Sequence, residues 1–456
     1  MSEGNSYLGS LLNLGASAVK YASDTFASYV SDSPDLAVVD PDGKNSEVVD
    51  NLDANDRRQS FFVTSNFGKY IGMDITSLLS VPIWIMEPFT VTQKMAEVME
   101  YSELLDTAAD CEDPVKRHMY TVAFFISAFG CVERTFKPFN PILGETFEFI
   151  EEGKYSFFSE QVSHHPPIAA GHASSEGWTY DIVSAPSTKF LGNSVEVYPI
   201  GRTRVKLKRA GETYTVVPPS VKANNIVVGS SWIDVFGTLL VRCIETGMYS
   251  EIEFTPCGWF GVGRYEFSGF VRDKDGKPAV CISGMWNSHA DAVLCDEEGE
   301  PLPGEEPVRL WTCAPKPEKT KYNFTEFAMR LNTVPEGAPE PLKSDSRRRP
   351  DRAFLVKGDA SAAGEHKHRL EERQRAEKRE RTRRGDDWQP RWFVPVPAEE
   401  MVSFEGECSI DRLGHWAPRM EFFAEQEQRP SVAMDEVDGK DFCPWQYPEL
   451  PEGEVQ

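Results

Sequence analysis

The sequence predicts a fold of mainly β structure with added helices (α+β), built on one large antiparallel sheet. Apolar and polar residues alternate in short runs such as Thr146–Ile150, Tyr249–Phe254 and Arg264–Phe270, a period of two that is typical of half-buried strands. A similar run from Thr203 to Arg209 turns at Ala210-Gly211 into a second one, which is a hairpin pattern. Many such strands form a barrel or sandwich that can enclose a cavity.

The composition narrows the function. The chain has 456 residues and a formal net charge of -24, which disfavours a nucleic-acid partner, because phosphate backbones are bound by clustered lysine and arginine. No apolar run reaches the roughly 20 residues that span a bilayer, and the first residues do not resemble a secretory signal. Nine cysteines without a C-x-x-C pair favour reduced thiols. We therefore expect a cytoplasmic protein without metal or cofactor.

The N-terminal 60 residues are predicted to form two segments. Residues 1–30 are interpreted as an amphipathic helix, because large apolar residues recur at three-to-four-residue spacing from Ser6 to Val30. Its polar face of serine, glycine and asparagine resembles helices that sense loosely packed membranes; a helix docked on the main domain, or a disordered segment, is an equal alternative. Residues 31–60 are acidic and rich in proline, aspartate and asparagine, which indicates a flexible linker.

The main domain is predicted to cover residues 61–393, with helices near both of its ends. One helix is expected at Thr92–Leu105. The other, at Glu365–Arg384, carries the one strong cluster of basic residues in the acidic chain. Residues 394–456 are acidic and proline-rich without periodicity, and we expect a loosely ordered tail.

The segment Glu160-Gln-Val-Ser-His-His-Pro-Pro167 is the most informative motif. Adjacent histidines on an extended chain point to opposite faces, so His164 and His165 serve one ligand only if the backbone turns there. The two prolines restrict the backbone and favour such a turn, and imidazoles donate hydrogen bonds to phosphate. On spacing alone, a surface turn with solvated histidines is favoured. A metal site using Glu160 and His172 as well has no further support.

Lys367, Glu371 and Arg375 recur at every fourth position and therefore share one helical face. Read alone, this pattern is most often a solvated face with intrahelical ion pairs. The alternative is a cationic face directed at a phosphate, with the glutamate accepting hydroxyl hydrogen bonds.

Taken together, these motifs resemble the oxysterol-binding protein family of lipid transfer proteins. All eight residues of Glu160–Pro167 match its signature, and further similar stretches follow in the family's order over about Met73 to Phe393. They are Lys137-Pro-Phe-Asn-Pro-Ile-Leu-Gly-Glu-Thr-Phe147, Ser344-Asp-Ser-Arg-Arg-Arg-Pro-Asp-Arg352, Leu370-Glu-Glu-Arg-Gln-Arg375 and Pro390-Arg-Trp-Phe393. The resemblance is closest to the short plant-type members.

The resemblance implies a large antiparallel β-barrel with a central lipid tunnel, an N-terminal lid at about 66–79 and a C-terminal helical part at about 343–393. It also implies that the head group of phosphatidylinositol 4-phosphate binds at the tunnel mouth. By position in the family motifs, the binding residues are Lys137, Asn140, His164, His165, Lys367, Glu371 and Arg375. No catalytic residue is implied, and we expect no enzymatic activity.

The implied function is lipid transport between intracellular membranes, with transient membrane contact. Phosphatidylinositol 4-phosphate and a second lipid would exchange through one tunnel; we favour sterol over phosphatidylserine as the second lipid. The alternative is a phosphoinositide-responsive sensor or scaffold without net transport, and a hydrolase ranks third. Met420–Glu427 weakly resembles a motif that recruits related proteins to a receptor on the endoplasmic reticulum.

Overall fold

The computed structural model describes residues 71–74, 81–317, 322–397 and 415–450. The predicted helix at 1–30, the linker at 31–60 and all of the lid at 66–79 except 71–74 lie outside the described residues. The four described lid residues are tied to the main domain, because the Gly72 N–H donates to the carbonyl oxygen of Phe190 at 2.6 Å.

The dominant element is a sheet of fifteen strands, which confirms the prediction of mainly β structure with helices. The strands are β1 Met86–Thr90, β2 Lys137–Phe139, β3 Thr146–Glu151, β4 Tyr155–His164, β5 Pro167–Ser175, β6 Trp178–Ser184, β7 Ser187–Phe190, β8 Ser194–Tyr198, β9 Gly201–Leu207, β10 Glu212–Val217, β11 Ser220–Asn224, β12 Trp232–Cys243, β13 Tyr249–Phe254, β14 Glu266–Arg272, β15 Pro278–Met285, β16 His289–Leu294, β17 Val308–Thr312, β18 Phe393–Val396 and β19 His415–Pro418.

The large sheet contains β3 to β17, and its pairings are antiparallel. Its hydrogen-bonded path runs β17-β16-β15-β14-β13-β12-β10-β9-β6-β5-β4-β3, and β11, β8 and β7 branch from the first half of β12. Within the described residues the path does not pair β3 with β17, so the fold is barrel-like without a continuous ring of hydrogen bonds. The hairpin predicted around Ala210-Gly211 is confirmed as β9 and β10.

Helices pack against this sheet and complete the core. They are α1 Val91–Glu97, α2 Glu103–Asp110, α3 Pro114–Ser127, α4 Glu326–Arg330, α5 Pro350–Val356, α6 Ala360–Arg384, α7 Glu421–Gln428 and α8 Met434–Val437. Helix α3 packs against β14 to β17 and α2 against β6 and β9. Their apolar side chains join the inward residues of the strands in one large core, in which Phe124 and Ile252 are fully buried.

The first predicted helix needs a correction. Thr92–Leu105 is not continuous: α1 ends at Glu97, a 3-10 turn follows at Val98–Tyr101, and α2 begins at Glu103. The apolar spacing is satisfied on both sides of the turn, because Met95 and Leu104 are both buried in the core. Periodicity alone therefore did not reveal the break.

The second predicted helix is confirmed as α6, which starts five residues earlier than Glu365. The Asp359 carboxylate caps it by accepting the Ala362 N–H at 2.9 Å. It ends at Gly385, whose φ of 70° is the left-handed conformation that glycine adopts readily at helix ends.

The prediction of a loosely ordered C-terminal tail is wrong for residues 415–450. Strand β19 pairs with β18, and Phe422 of α7 stacks on Phe158 of β4 with 4.0 Å between ring centroids. The Arg429 guanidinium pairs with the Glu148 carboxylate at 2.7 Å. These anchors are single residues spaced far apart, so they leave no periodic pattern in the sequence.

Candidate functional site

The histidine motif forms the turn that its prediction required. His164 is the last residue of β4, Pro167 is the first of β5, and the two are register partners across the turn. The two imidazole rings, 4.6 Å apart between centroids, meet edge to face. Nδ1 of His164 is buried and has no hydrogen-bond partner within the described part of the chain. Both imidazoles are thus gathered in one place, and one ring atom is left without a partner.

Lys137 and Asn140 lie beside this turn. The Lys137 ammonium donates to Oδ1 of Asn140 at 2.7 Å. Asn140, His164 and His165 share a cavity of about 80 Å³. Its other walls are Val91, Pro141, Gln161, Pro167, Ala169, Ser184 and Pro186. The structure therefore brings two of the sequence motifs, far apart in the chain, to one pocket.

The third motif lies on α6 as the spacing predicted. The Glu371 carboxylate accepts from Lys367 at 2.8 Å and lies 4.0 Å from the Arg375 guanidinium. Arg375 also pairs with Glu372. One carboxylate thus lies between two cations on a single helical face.

The charges of α6 act on the titratable groups of the pocket. Burial lowers the pKa of Lys137 to about 8, assisted by the charge of Lys367 and opposed by Glu371. Burial also lowers the pKa of His164 to about 3, and the neighbouring charges on His165, Lys378 and Arg381 lower it further. Like charges at close range disfavour one another's protonated forms. All three motifs therefore contribute to one cluster of crowded cations.

Two members of this cluster were missed in the sequence. Lys378 and Arg381 lie three and six residues beyond Arg375, and both lower the pKa of His164. Burial is the main cause of the lowered pKa of His165, and Lys378 is the second. Helical spacing would have placed Lys378 on the face of Lys367, but the dense run of basic residues in α6 gave no reason to select it.

A buried ion network holds the pocket in place. Nη1 of Arg349 donates to the carbonyl oxygen of Asn140 at 3.0 Å and to the Glu145 carboxylate at 2.8 Å. The same carboxylate accepts the Ile142 N–H at 2.8 Å. The segment Ser344–Arg352 therefore fixes the loop that carries Asn140 and does not itself line the pocket.

Glu160, considered above as a metal ligand, has another role. Its buried carboxylate accepts the backbone N–H groups of Arg391 at 2.8 Å and Trp392 at 2.9 Å. Burial raises its pKa to about 7 even though these bonds oppose the shift. His172 is bonded to Asp181 instead, at 2.7 Å. In the described residues, no three or more histidine, cysteine, aspartate and glutamate side chains gather as they would around a metal ion.

The weak receptor-binding motif at Met420–Glu427 lies largely within α7. Phe422 is 1% exposed and stacks on Phe158. A receptor that binds this segment would first have to remove Phe422 from its packing, so the structure does not favour this partner.

None of the helices in the described residues is long and apolar enough to cross a membrane.

Comparison with known proteins identifies clear relatives. Residues 62–416 match the family described as "Oxysterol-binding protein". The chain is 43% identical over 426 residues to oxysterol-binding protein-related protein 3C of Arabidopsis thaliana, and the match covers 90% of each.

Two solved structures share the fold. The Osh1 ORD domain in complex with cholesterol is 27% identical with a TM-score of 0.70, covering 91% of this chain and 96% of that one. The Osh3 ORD of Saccharomyces cerevisiae in complex with PI(4)P is 28% identical with a TM-score of 0.62, covering 77% and 91%.

Proposed function

Because the chain belongs to the oxysterol-binding protein family, we propose that it carries lipids between membranes. In this proposal it binds phosphatidylinositol 4-phosphate and exchanges it for a second lipid, which we propose to be a sterol. The observation that carries the proposal is the crowded cation cluster formed by β2, the β4–β5 turn and α6. Burial, and secondly the repulsion between neighbouring cations, lowers the pKa values of Lys137, His164 and His165; a phosphate bound there would offset both by favouring the charged forms.

Each side chain has a proposed role in holding the head group. His164, His165 and Arg375 donate to the 4-phosphate, since charge-assisted hydrogen bonds to phosphate are the strong ones. Lys137 and Lys367 meet the remaining phosphate charge. Glu371, held between Lys367 and Arg375, accepts from inositol hydroxyls. Asn140 is hydrogen-bonded to Lys137 and contacts the head group beside it. A site of this kind lets an acidic protein select an anionic lipid.

The second lipid is proposed from the solved relatives. The Osh1 domain was solved with cholesterol and the Osh3 domain with PI(4)P, so domains of this fold hold either kind of lipid. If one enclosed tunnel takes both in turn, the two compete, and a gradient of the phosphoinositide drives transport of the sterol. The enclosure is needed because exposing an acyl chain to water costs about 0.8 kcal/mol per CH2 group.

We further propose that the protein is not an enzyme and acts in the cytoplasm, with transient contact with intracellular membranes. The residues of the site suit this role, because they form a cluster of cations of the types that bind phosphate, and within the described part of the chain none of them is paired as a nucleophile with a base. The predicted amphipathic helix at residues 1–30 would add a second membrane contact.

The test is a transfer assay between donor and acceptor liposomes, with labelled phosphatidylinositol 4-phosphate and labelled sterol in separate runs. We expect the wild type to transfer both lipids and His164→Ala/His165→Ala to lose phosphoinositide transfer while keeping sterol transfer. The control is Lys274→Ala/Lys277→Ala, which changes exposed residues paired with Asp275 and Glu297. If the protein transfers the phosphoinositide but no sterol, phosphatidylserine replaces sterol as the proposed second lipid. If it binds the phosphoinositide without transferring it, the sensor is favoured.

A further inference from the structure

One end of the large sheet carries most of the exposed apolar side chains of the described residues. Four segments gather there: 71–73, the β7–β8 turn 191–193, the β11–β12 loop 225–231 and the β13–β14 loop 255–263. We call these segments together the apolar rim. Its large exposed residues are Ile71, Met73, Leu191, Val228, Trp259, Phe260 and Val262.

Hydrogen bonds connect the rim segments to one another. The Gly72 N–H donates to Phe190 just before the β7–β8 turn. Asn193 of that turn accepts the Val228 N–H at 2.9 Å. The Cys257 N–H donates to Asp234 near the start of β12 at 3.0 Å. The first three segments are thus joined through the β7–β8 hairpin, and the fourth is held next to them through the start of β12.

The β13–β14 loop presents its aromatic residues outward. Trp259 is 88% exposed and Phe260 103% exposed, values expected only at a protruding tip. Phe260 has a φ of 60°, a left-handed conformation that is uncommon for a residue other than glycine. The Gly258 N–H donates to the Val262 carbonyl at 2.8 Å, so part of the loop's polar backbone is satisfied within the loop. Such pairing lowers the cost of placing backbone in an apolar medium.

The rim is also uncharged, whereas 26% of the whole chain is charged. None of the four segments contains an aspartate, glutamate, lysine or arginine. Arg264 follows at the base of the loop, with its guanidinium over the rings of Trp232 at 4.8 Å and Tyr265 at 4.6 Å. This arrangement suits a bilayer surface. The uncharged aromatic side chains can enter the interface, which tryptophan prefers, while the arginine behind them stays at the level of the head groups.

We propose that the apolar rim is a membrane-docking surface, which inserts Trp259, Phe260 and Val262 into the outer layer of a lipid bilayer. A bilayer is favoured over a protein partner because the tips are convex and nearly fully exposed, whereas protein interfaces use fitted surfaces with charged or polar rims. The inference goes beyond the proposed function and does not depend on which lipid the pocket holds.

The order of the strands shows where the rim lies relative to the cation cluster. The β4–β5 turn with His164 and His165 lies beside the end of β6, since Ala169 pairs with Ser184. Ser184 pairs with Gly201 at the start of β9. The end of β10 pairs with the second half of β12, and the first half of β12 continues from there to the rim. The rim and the cation cluster therefore lie at the same end of the sheet. Docking by the rim brings the pocket towards the lipid head groups.

The test uses the full chain and large vesicles of phosphatidylcholine alone, which lack both anionic lipid and the high curvature favoured by packing-sensor helices. We expect Trp259→Ser/Phe260→Ser to lower the partition coefficient, measured by flotation, about tenfold or more. The control Leu302→Ser/Val308→Ser changes two exposed apolar residues, one in the β16–β17 connection and one at the start of β17, at the opposite end of the sheet, and should bind as the wild type does. All forms should melt at similar temperatures.

Several results would overturn the proposal. They are a wild type that does not bind these vesicles, a rim variant within twofold of the wild type, and a control variant that loses as much as the rim variant. A second measurement uses vesicles with brominated acyl chains. Quenching of wild-type tryptophan fluorescence should largely disappear in Trp259→Phe, and equal quenching in both would contradict insertion of Trp259.

Failure of this proposal is distinguishable from failure of the proposed function. A short-chain, water-soluble phosphatidylinositol 4-phosphate needs no membrane, so the rim variant should bind it like the wild type. His164→Ala/His165→Ala should lose this binding and still dock on phosphatidylcholine vesicles. A rim variant that loses the soluble lipid as well would show that the two surfaces are not separate.

Discussion

The protein contains two clusters of basic side chains that differ in how their charge is balanced. In the segment Ser344–Arg352, four arginines are buried and each pairs with a carboxylate. The pairs are Arg347 with Asp345, Arg348 with Glu340, Arg349 with Glu145 and Asp351, and Arg352 with Asp438. At the pocket, Lys137, His164 and His165 face further cations, with Glu371 as a nearby carboxylate.

The pKa values of Arg349 in the first cluster and Lys137 in the second shift in opposite directions. Burial alone would lower the pKa of Arg349, but Asp351 and Glu145 raise it above its usual value. Burial and Lys367 together lower the pKa of Lys137 to about 8. A cation with a raised pKa stabilises the fold, whereas one with a lowered pKa is held at a cost that a bound anion removes. The first cluster is thus a scaffold and the second a proposed ligand site.

The largest expected effect is on the scaffold. Arg349→Ala should lower the free energy of unfolding by about 3–5 kcal/mol, because it leaves the buried carboxylates of Glu145 and Asp351 without their partner. Urea denaturation measures this loss. Arg375→Ala is the matched control and should change the free energy of unfolding by less than about 1 kcal/mol, since its ion pairs are partly exposed. Equal losses in both variants would remove the distinction between the clusters.

The same contrast exists within α6, between two arginines two residues apart. Arg373 is buried, pairs with Glu377 at 3.3 Å and donates to the Tyr447 carbonyl at 2.6 Å. Arg373→Ala should lower the free energy of unfolding by about 2–3 kcal/mol, because Glu377 stays buried without this partner, and should leave soluble phosphoinositide binding nearly unchanged. Arg375→Ala should weaken soluble phosphoinositide binding and leave the free energy of unfolding nearly unchanged. Denaturation and ligand titration of both variants check this; a binding loss confined to Arg373→Ala would contradict it.

His164→Ala/His165→Ala should weaken binding of soluble phosphatidylinositol 4-phosphate by about 2 kcal/mol, roughly 30-fold, the expected size for lost charge-assisted hydrogen bonds. Fluorescence or calorimetric titration measures the change. The thermal midpoint should stay near that of the wild type, because the two rings lie at a strand turn and contact each other. An unchanged dissociation constant would exclude the histidines from the site.

The smallest expected effect has the opposite sign. Lys137→Met should raise the free energy of unfolding of the ligand-free protein by about 0.5–1 kcal/mol, because it removes one of several crowded, partly buried cations. It should weaken head-group binding at the same time. If Lys137→Met instead lowered the free energy of unfolding as Arg349→Ala does, Lys137 would belong with the structural arginines.

The sequence predicted the regular parts of this molecule better than the irregular ones. Strand alternation predicted the β9–β10 hairpin, and helical spacing predicted the shared face of Lys367, Glu371 and Arg375, because both follow local rules. The break between α1 and α2 and the anchors Phe422 and Arg429 depend on single long-range contacts that have no periodic signal.

The site was predicted in part for the same reason. The family resemblance predicted the gathering of Lys137, Asn140 and the histidines; the structure places Asn140, His164 and His165 around one pocket and bonds Lys137 to Asn140. They did not separate pocket residues from scaffold residues: Ser344–Arg352 is as basic as α6, and only its buried carboxylate partners show that it is structural. Lys378 and Arg381 were missed because sequence does not show which way a highly charged helix is turned.

The most direct test of the central claim is the number of protons taken up when the phosphoinositide binds. Calorimetric titration at pH 8 with short-chain phosphatidylinositol 4-phosphate, in two non-phosphate buffers of different ionisation enthalpy, gives this number. The phosphate, with a second pKa near 6, is already a dianion at this pH. A bound dianion raises the pKa of Lys137 from about 8. Affinity is therefore greatest between about pH 6 and pH 8, where the phosphate is a dianion and Lys137 is charged, and it falls as the pH rises from about 8 through the raised value.

We predict a net uptake of up to about half a proton per lipid in the wild type. In Lys137→Arg uptake should be near zero, because arginine stays charged throughout. Proton release, or the same uptake in both proteins, would contradict the conclusion that the crowded cations of this pocket form a phosphate site.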